Sequence, residues 1–240
     1  METTELSKTK VGELVAKDYR TAGVFKKFGI DFCCGGGISI EEACRKKNIH
    51  PENVLNELKK LYEEKPTPQN DYDKWDLGFL IDYIVNVHHK YVEENIPLLL
   101  EFSKKVARVH GDANPEVIRI HELVQESVNE LVPHMKKEEL ILFPYIKKLE
   151  EAAKNNLPAP VPPFGTVQNP VNAMIHEHDM VGEYFKEMEK ISNNFLPPEH
   201  ACNTYRVLYA KLKEFYEDLI LHIHLENNIL FPKAIALEKK

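Results

Sequence analysis

The 240-residue chain is short of several things, and each shortage removes a class of function. It has no apolar run approaching the ~18 residues that a membrane span needs. Its opening METTELSKTKVGEL puts acidic residues where a secretory leader would carry an apolar segment. A cytoplasmic protein with no membrane partner is therefore expected. Lysine and arginine total 31 against 38 acidic residues, for a net charge of −7, and no basic block stands apart from interspersed acids. Nucleic acid is accordingly not an expected partner. Four cysteines, Cys33, Cys34, Cys44 and Cys202, are too few and too unevenly placed for a disulfide framework, which suits a reducing compartment. No stretch shows credible β alternation. Histidine, by contrast, is plentiful: eleven residues, several of them inside apolar stripes.

The pattern along the chain predicts an all-α protein in two parts. Residues 1–64 read as a small domain of short helices, VGELVAKDYRTAGVFKKFGI, SIEEACRKKN and PENVLNELKKLYEE, interrupted by DFCCGGG. Residues 65–73, KPTPQNDYD, lack periodicity and read as a linker. Residues 74–240 hold four long amphipathic segments, near Leu77 to Val109, Pro115 to Glu150, Pro170 to Asn193 and Pro198 to Leu237. Short breaks pair the first with the second and the third with the fourth, as helical hairpins require. Between the hairpins, LPAPVPPFGTVQNP carries five prolines, which cannot continue a helix and so predict an extended crossover. The expectation for this part is a four-helix bundle made of a hairpin and its near copy.

The duplication carries chemistry. HMKKEELILFP begins at His134, and HIHLENNILFP begins eighty-eight positions later at His222. Each copy has an acid at minus four (Glu130, Asp218), leucine at minus three, glutamate at plus four (Glu138, Glu226), and then ILFP. Positions i and i+4 share a helix face, so each histidine projects beside its glutamate toward the core. Ile141, Leu142, Ile229 and Leu230 are expected to continue that buried side, with Pro144 and Pro232 disturbing each helix. A single buried H-x-x-x-E is commonly a histidine satisfied by its neighbour. Two of them bury two carboxylates, each costing several kcal/mol unless compensated, and imidazole with carboxylate is a ligand set for iron, zinc or manganese.

The other helix of each hairpin also offers histidine. In MIHEHDMVGE the apolar stripe contains His178 and excludes His176, whereas in VHHKYVEENIP periodicity at about 100° per residue leaves His88 and His89 equally placed. His224, two residues from Glu226, is expected to be exposed. The count is four histidines and two glutamates, too many for one tetrahedral zinc. It fits a dinuclear centre in which each metal takes two histidines, Glu138 and Glu226 bridge, and a solvent-derived oxo or hydroxo bridge completes the set. Glu130 and Asp218 are candidates to accept the outer ring N–H of a liganding histidine; a plain solvated position is the equal alternative.

FKKFGIDFCCGGG, HHKYVEENIP, HMKKEELILFP, HEHDMVGE and HIHLENNILFP together resemble the iron-sulfur cluster repair di-iron proteins, the RIC or ScdA-type family, nearly end to end. In that family a hemerythrin-like bundle follows an ScdA-like N-terminal domain. The resemblance selects His89 over His88 and implies His89, His134, Glu138, His178, His222 and Glu226 as ligands of two non-haem irons. It departs from oxygen-carrying hemerythrins in having Gly182 where they place a further histidine, which implies a more open iron pair. The implied function is repair of iron-sulfur clusters damaged by nitric oxide or oxidative stress, through iron donation, reduction of nitric oxide to nitrous oxide, or both. The implied partners are damaged iron-sulfur proteins and the gases NO or O2, and a homodimer is compatible with the pattern. A non-enzymatic sensor or store of O2, NO or iron is the rival expectation, and a purely structural metal the third.

The DFCCGGG turn is separate. Ser39 followed by Glu42 predicts a capping box opening the next helix, whose positive end could favour thiolate at Cys33 and Cys34. The bland alternative is a tight turn filled with small residues. The family resemblance supports a reactive thiol pair, in redox, nitrosyl or iron handover. Cys44 and Cys202 read as ordinary packed or surface thiols.

Overall fold

The computed structural model describes residues 3–63 and 70–239, and among these it is helical throughout, with one isolated bridge between Lys10 and Ser39. Five short helices come first: α1 (Thr3–Lys8), α2 (Val11–Lys17), α3 (Thr21–Lys27), α4 (Ile40–Lys47) and α5 (Pro51–Glu63). The Ser39 side chain accepts the Glu42 N–H, so α4 opens with the expected cap. Most of the expected linker, residues 65–69, lies outside the described residues. Its end does not behave as one: Tyr72 is buried in a 3-10 turn (Tyr72–Lys74) and packs edge-on against Trp75, 4.9 Å between ring centroids.

Four rods follow. The first is α6 (Leu77–Tyr83), a π turn (Ile84–His89) and α7 (Lys90–His110). The second is α8 (Glu116–Lys137), a π turn (Glu138–Leu142) and α9 (Phe143–Lys154). The third is α10 (Gln168–Ile191) alone, and the fourth is α11 (Asn203–Leu225), a π turn (Glu226–Leu230) and α12 (Phe231–Glu238). Helix α7 packs on α8, α8 on α10, α10 on α11 and α11 on α7, closing a square. Pro144 and Pro232 each fall on the second residue after a π turn. A proline has no N–H and clashes with the carbonyl four residues back, so these are places where the regular ladder loosens. One consequence corrects the sequence reading: the extra residue rotates the helix phase, and Ile141 is half-exposed while Leu142, Ile229 and Leu230 are buried.

The apolar core is in two bodies. One, at the α12 end, is built from residues such as Leu80, Ile84, Phe143, Ile146, Met174 and Phe231. The other joins the far half of the bundle (Val92, Leu123, Phe185, Leu212) to the short helices (Val11, Phe25, Ile40, Val54) without a break. Between them runs a layer of buried polar residues, among them His89, His134, Glu138, His178, His222 and Glu226. The five short helices thus dock on the bundle instead of standing beside it. Gly12 and Gly36 permit the approach: a Cβ on Gly12 would lie 2.1 Å from Asn228 Oδ1, and one on Gly36 would lie 3.1 Å from the same oxygen. No helix among the described residues is long and apolar enough to cross a membrane.

Candidate metal centre

Every rod sends at least one histidine into the polar layer, and the two repeated segments add a glutamate each. The ligand-capable atoms fall into two overlapping groups, His89, Glu138, His222, Glu226 and His134, Glu138, His178, Glu226. Both glutamates belong to both groups. His134 Nε2 and His89 Nε2 each lie 3.4 Å from Glu138 Oε2. His222 Nε2 lies 3.1 Å from Glu226 Oε1 and His178 Nε2 lies 3.0 Å from Glu226 Oε2.

The outer nitrogens fix the tautomers. His89 Nδ1 donates to Glu139 at 2.8 Å, His134 Nδ1 to Glu177 at 2.8 Å, and His178 Nδ1 to Asn227 Oδ1 at 2.9 Å. With the proton held outside, a neutral ring turns an Nε2 lone pair inward. His134 Nε2 and His178 Nε2 then face one another at 3.0 Å, an arrangement that repels unless a proton or a metal ion stands between. Both oxygens of Glu138, with His89 Nε2 and Glu226 Oε2, are buried without a hydrogen-bond partner. Two buried carboxylates in this condition are costly, and a cation answers that cost. A proton answers part of the same cost. Burial pulls His89 and His178 down, yet the Glu138 and Glu226 carboxylates push each up to about 9. His222 goes the other way, lowered chiefly by burial. Glu226 is held well below the carboxylate range by His222 and His178, against the burial that would raise it.

The repeat supplies two further elements that sequence reasoning missed. The residue after each glutamate, Glu139 or Asn227, holds the histidine of a neighbouring rod, and the phenylalanine of each ILFP stacks on the same ring. Phe143 sits 5.7 Å from His89 at 23°, and Phe231 sits 6.1 Å from His178 at 6°. Both stand at matching offsets in the two copies, which was the available signal. Glu177, beside His178 in sequence, is held down to about 2 by the His134 hydrogen bond and Lys137. Glu130 and Asp218 do not take the roles expected of them: His134 turns to Glu177, and Asp218 Oδ1 meets His88 Nδ1 at 2.9 Å. His88 is buried one ring away from His222, 5.5 Å between near-parallel rings. The widened π turn ending at His89 is what lets two adjacent histidines both point inward.

Three other expectations are corrected. His224 is fully buried, not exposed, because α2, α3 and the cysteine turn cover the outer face of α11. It lies between Tyr19 and Phe32, at 5.7 and 5.8 Å, and burial lowers its pKa to about 3. The cysteine turn does not favour thiolate at Cys33. Helix α4 begins only at Ile40, while the hydrogen bond to Cys34, burial, and the Cys34 and Asp31 charges push the Cys33 thiol well above its ordinary value. Nor is Gly182 left open. A Cβ there would lie 3.3 Å from Cys34 Sγ, which rests 3.7 Å from the His178 carbonyl. Asn227 ties the two regions, its Nδ2 donating to the Cys33 carbonyl at 3.3 Å and its Oδ1 holding His178. Cys44 is packed and Cys202 exposed.

A helical bundle with inward imidazoles and shared carboxylates at mid-length defines a cation-binding bundle protein. The hemerythrin HHE cation binding domain matches residues 80–234, and the ScdA_N domain, described as of unknown function (DUF542), matches residues 7–62. The iron-sulfur cluster repair protein YtfE of Pectobacterium atrosepticum is 37% identical over 95% of this chain and 97% of its own. YtfE of Yersinia pseudotuberculosis is 35% identical over 95% and 97%. A probable iron-sulfur cluster repair protein of Haemophilus influenzae is 32% identical over 94% and 96%. The chain belongs to the iron-sulfur cluster repair proteins, with a hemerythrin-like bundle behind an ScdA-type N-terminal segment.

Proposed function

We propose that this protein repairs iron-sulfur clusters damaged by nitric oxide or oxidants, in the cytoplasm, using a two-iron centre in the bundle. The observation that carries the reading is the pair of four-residue groups sharing Glu138 and Glu226, with buried atoms that have no partner but one another. His89 and His222 would hold one iron, His134 and His178 the other, with both carboxylates bridging and a solvent-derived oxo or hydroxo group completing the centre. Bound ferrous ions would supply either the iron that a damaged cluster lacks or the two electrons that, with two protons, convert two NO to N2O and water.

The chain's own residues prepare that chemistry. Glu139, Glu177 and Asn227 hold their histidines with Nε2 inward, and Phe143 and Phe231 fix the ring planes against the apolar cluster at the α12 end. The cysteine turn shields the α10 side at Gly182. Six protein ligands to two irons leave positions for a gas or for release of metal. The damaged client protein and NO are the proposed partners. The test is recovery of a nitric-oxide-treated [4Fe–4S] dehydratase with iron-loaded protein. Wild type restores activity and Glu138→Ala/Glu226→Ala does not; equal restoration by both removes the bundle centre from repair. Metal analysis returning a single zinc per chain would end the two-iron reading, and a store or sensor would bind iron or gas yet restore nothing.

A further inference from the structure

Beside the bundle centre, the cysteine turn gathers a second set of donors. Cys33 Sγ and Cys34 Sγ are 3.8 Å apart, Cys33 Sγ is 3.3 Å from Asp31 Oδ1, and the three residues place donor atoms within 4.8 Å of one another. We propose that Asp31, Cys33 and Cys34 form a separate mononuclear site for a thiophilic divalent cation, of the ferrous iron or zinc class, whose fourth position opens to the neighbouring cavity.

The separation of the two sulfurs matches an edge of a coordination tetrahedron, and that of Cys33 Sγ from Asp31 Oδ1 is a little short of one. With metal–sulfur bonds of about 2.3 Å and metal–oxygen bonds of about 2.1 Å, a tetrahedral ion sets its sulfurs about 3.8 Å apart and sulfur from oxygen about 3.6 Å apart. Adjacent cysteines ordinarily chelate poorly because successive side chains diverge. Here Asp31 Oδ1 accepts the N–H groups of both Cys33 and Cys34, each at 3.0 Å, and folds the turn so that the thiols converge. The carboxylate has about four lone-pair sites over its two oxygens; the two N–H groups occupy those of Oδ1 and Lys186 one of Oδ2, so the ion takes the remaining Oδ2 site or displaces one N–H bond. Binding replaces two thiol protons, which leave to solvent, and oxidises nothing. Charge also closes: two thiolates and one carboxylate against a divalent ion leave one negative charge, and Lys186 Nζ already lies 2.7 Å from Asp31 Oδ2.

Access comes from a cavity of about 590 Å³ lined by Asp31, Cys33, Cys34, Gly182, Glu183 and Lys186 among others. The half-buried Cys34 therefore borders a route that does not pass through the bundle, with the buried Cys33 behind it. Because the bundle cluster contains no sulfur, the two sites are separable by spectroscopy, and this inference does not rest on the function proposed above.

The experiment uses reduced full-length protein, its bundle already metal-loaded, titrated anaerobically with Co2+. Wild type is expected to develop a near-ultraviolet sulfur-to-cobalt charge-transfer band that saturates at one added ion per chain. Asp31→Asn should weaken that binding at least ten-fold, and Cys33→Ser/Cys34→Ser should abolish the band while bundle metal content is retained. No such band in wild type, or an undiminished band in the double variant, overturns the proposal. Should the double variant not fold, alkylation of wild type decides: Cd2+ should slow modification of Cys33 and Cys34 at least ten-fold, and an unchanged rate refutes the site. A chain that shows the band but holds no bundle iron would defeat the proposed repair function alone.

Discussion

Glu138 and Glu226 differ from the four histidines in belonging to both ligand groups, and this gives substitutions distinguishable outcomes. Removing either carboxylate takes an oxygen donor from each half of the centre. For the proposed two-iron centre, Glu138→Ala or Glu226→Ala is expected to bring iron content to near zero, whereas His89→Ala should leave His134, Glu138, His178 and Glu226 and keep about one. Elemental analysis checks the count, and loss of magnetic coupling between the irons checks that the survivor is single. A centre losing one metal in every variant would mean that the carboxylates do not bridge. The hydrogen-bonded neighbours predict a milder class: Asn227→Ala removes the acceptor for His178 Nδ1 and, by the range seen for such supporting partners, should cost about 10–100-fold in metal affinity.

The four rods and the inward side of His134, Glu138, His178, His222 and Glu226 were legible because helical periodicity records which side of an element is buried. What escaped was local or mutual. The π turns shift the phase inside a helix, so a uniform 100° count could neither choose between His88 and His89 nor foresee Ile141 at the surface. Glu177 lies outside the stripe that holds His178 and reaches His134 across the helix interface, a pairing that no single-helix pattern contains. Gly182 offers a test at this scale. On an exposed helix, Gly→Ala gains about 1 kcal/mol; here the new Cβ meets Cys34 Sγ at 3.3 Å. The expected result for Gly182→Ala is a melting temperature close to wild type with faster alkylation of Cys34. Gly182→Leu should displace the turn and lower stability by about 1–3 kcal/mol, read from urea unfolding. Slower alkylation in either variant would show that Cys34 does not lean on this position.

At the scale of the whole molecule the decisive feature is docking of the short helices on α11, and this too was hidden in the sequence. His224 read as an outward residue of an isolated bundle, but the outward face of one domain is the inner face of two. The packing is specific: Asn228 Nδ2 donates to the Phe32 carbonyl and to His224 Nδ1, both at 3.0 Å, and Gly12 leaves room for Asn228 where a side chain would collide. His224 therefore reports docking. Buried between Tyr19 and Phe32 its pKa is lowered to about 3, whereas a solvated imidazole titrates near 6.5. The undocked state thus binds a proton over the interval from about 6.5 down to about 3 that the docked state refuses. Docking is at full strength above pH 6.5 and weakens as pH falls, by at most about 1.4 kcal/mol per pH unit. In wild type the His224 ring should show no NMR titration between pH 5 and 8. In Gly12→Val, where the valine side chain collides with Asn228, the same resonance should titrate near 6.5 while the bundle keeps its metal. If His224 stays silent in Gly12→Val, or titrates near 6.5 in wild type, the short helices do not seal α11 in the way the geometry requires.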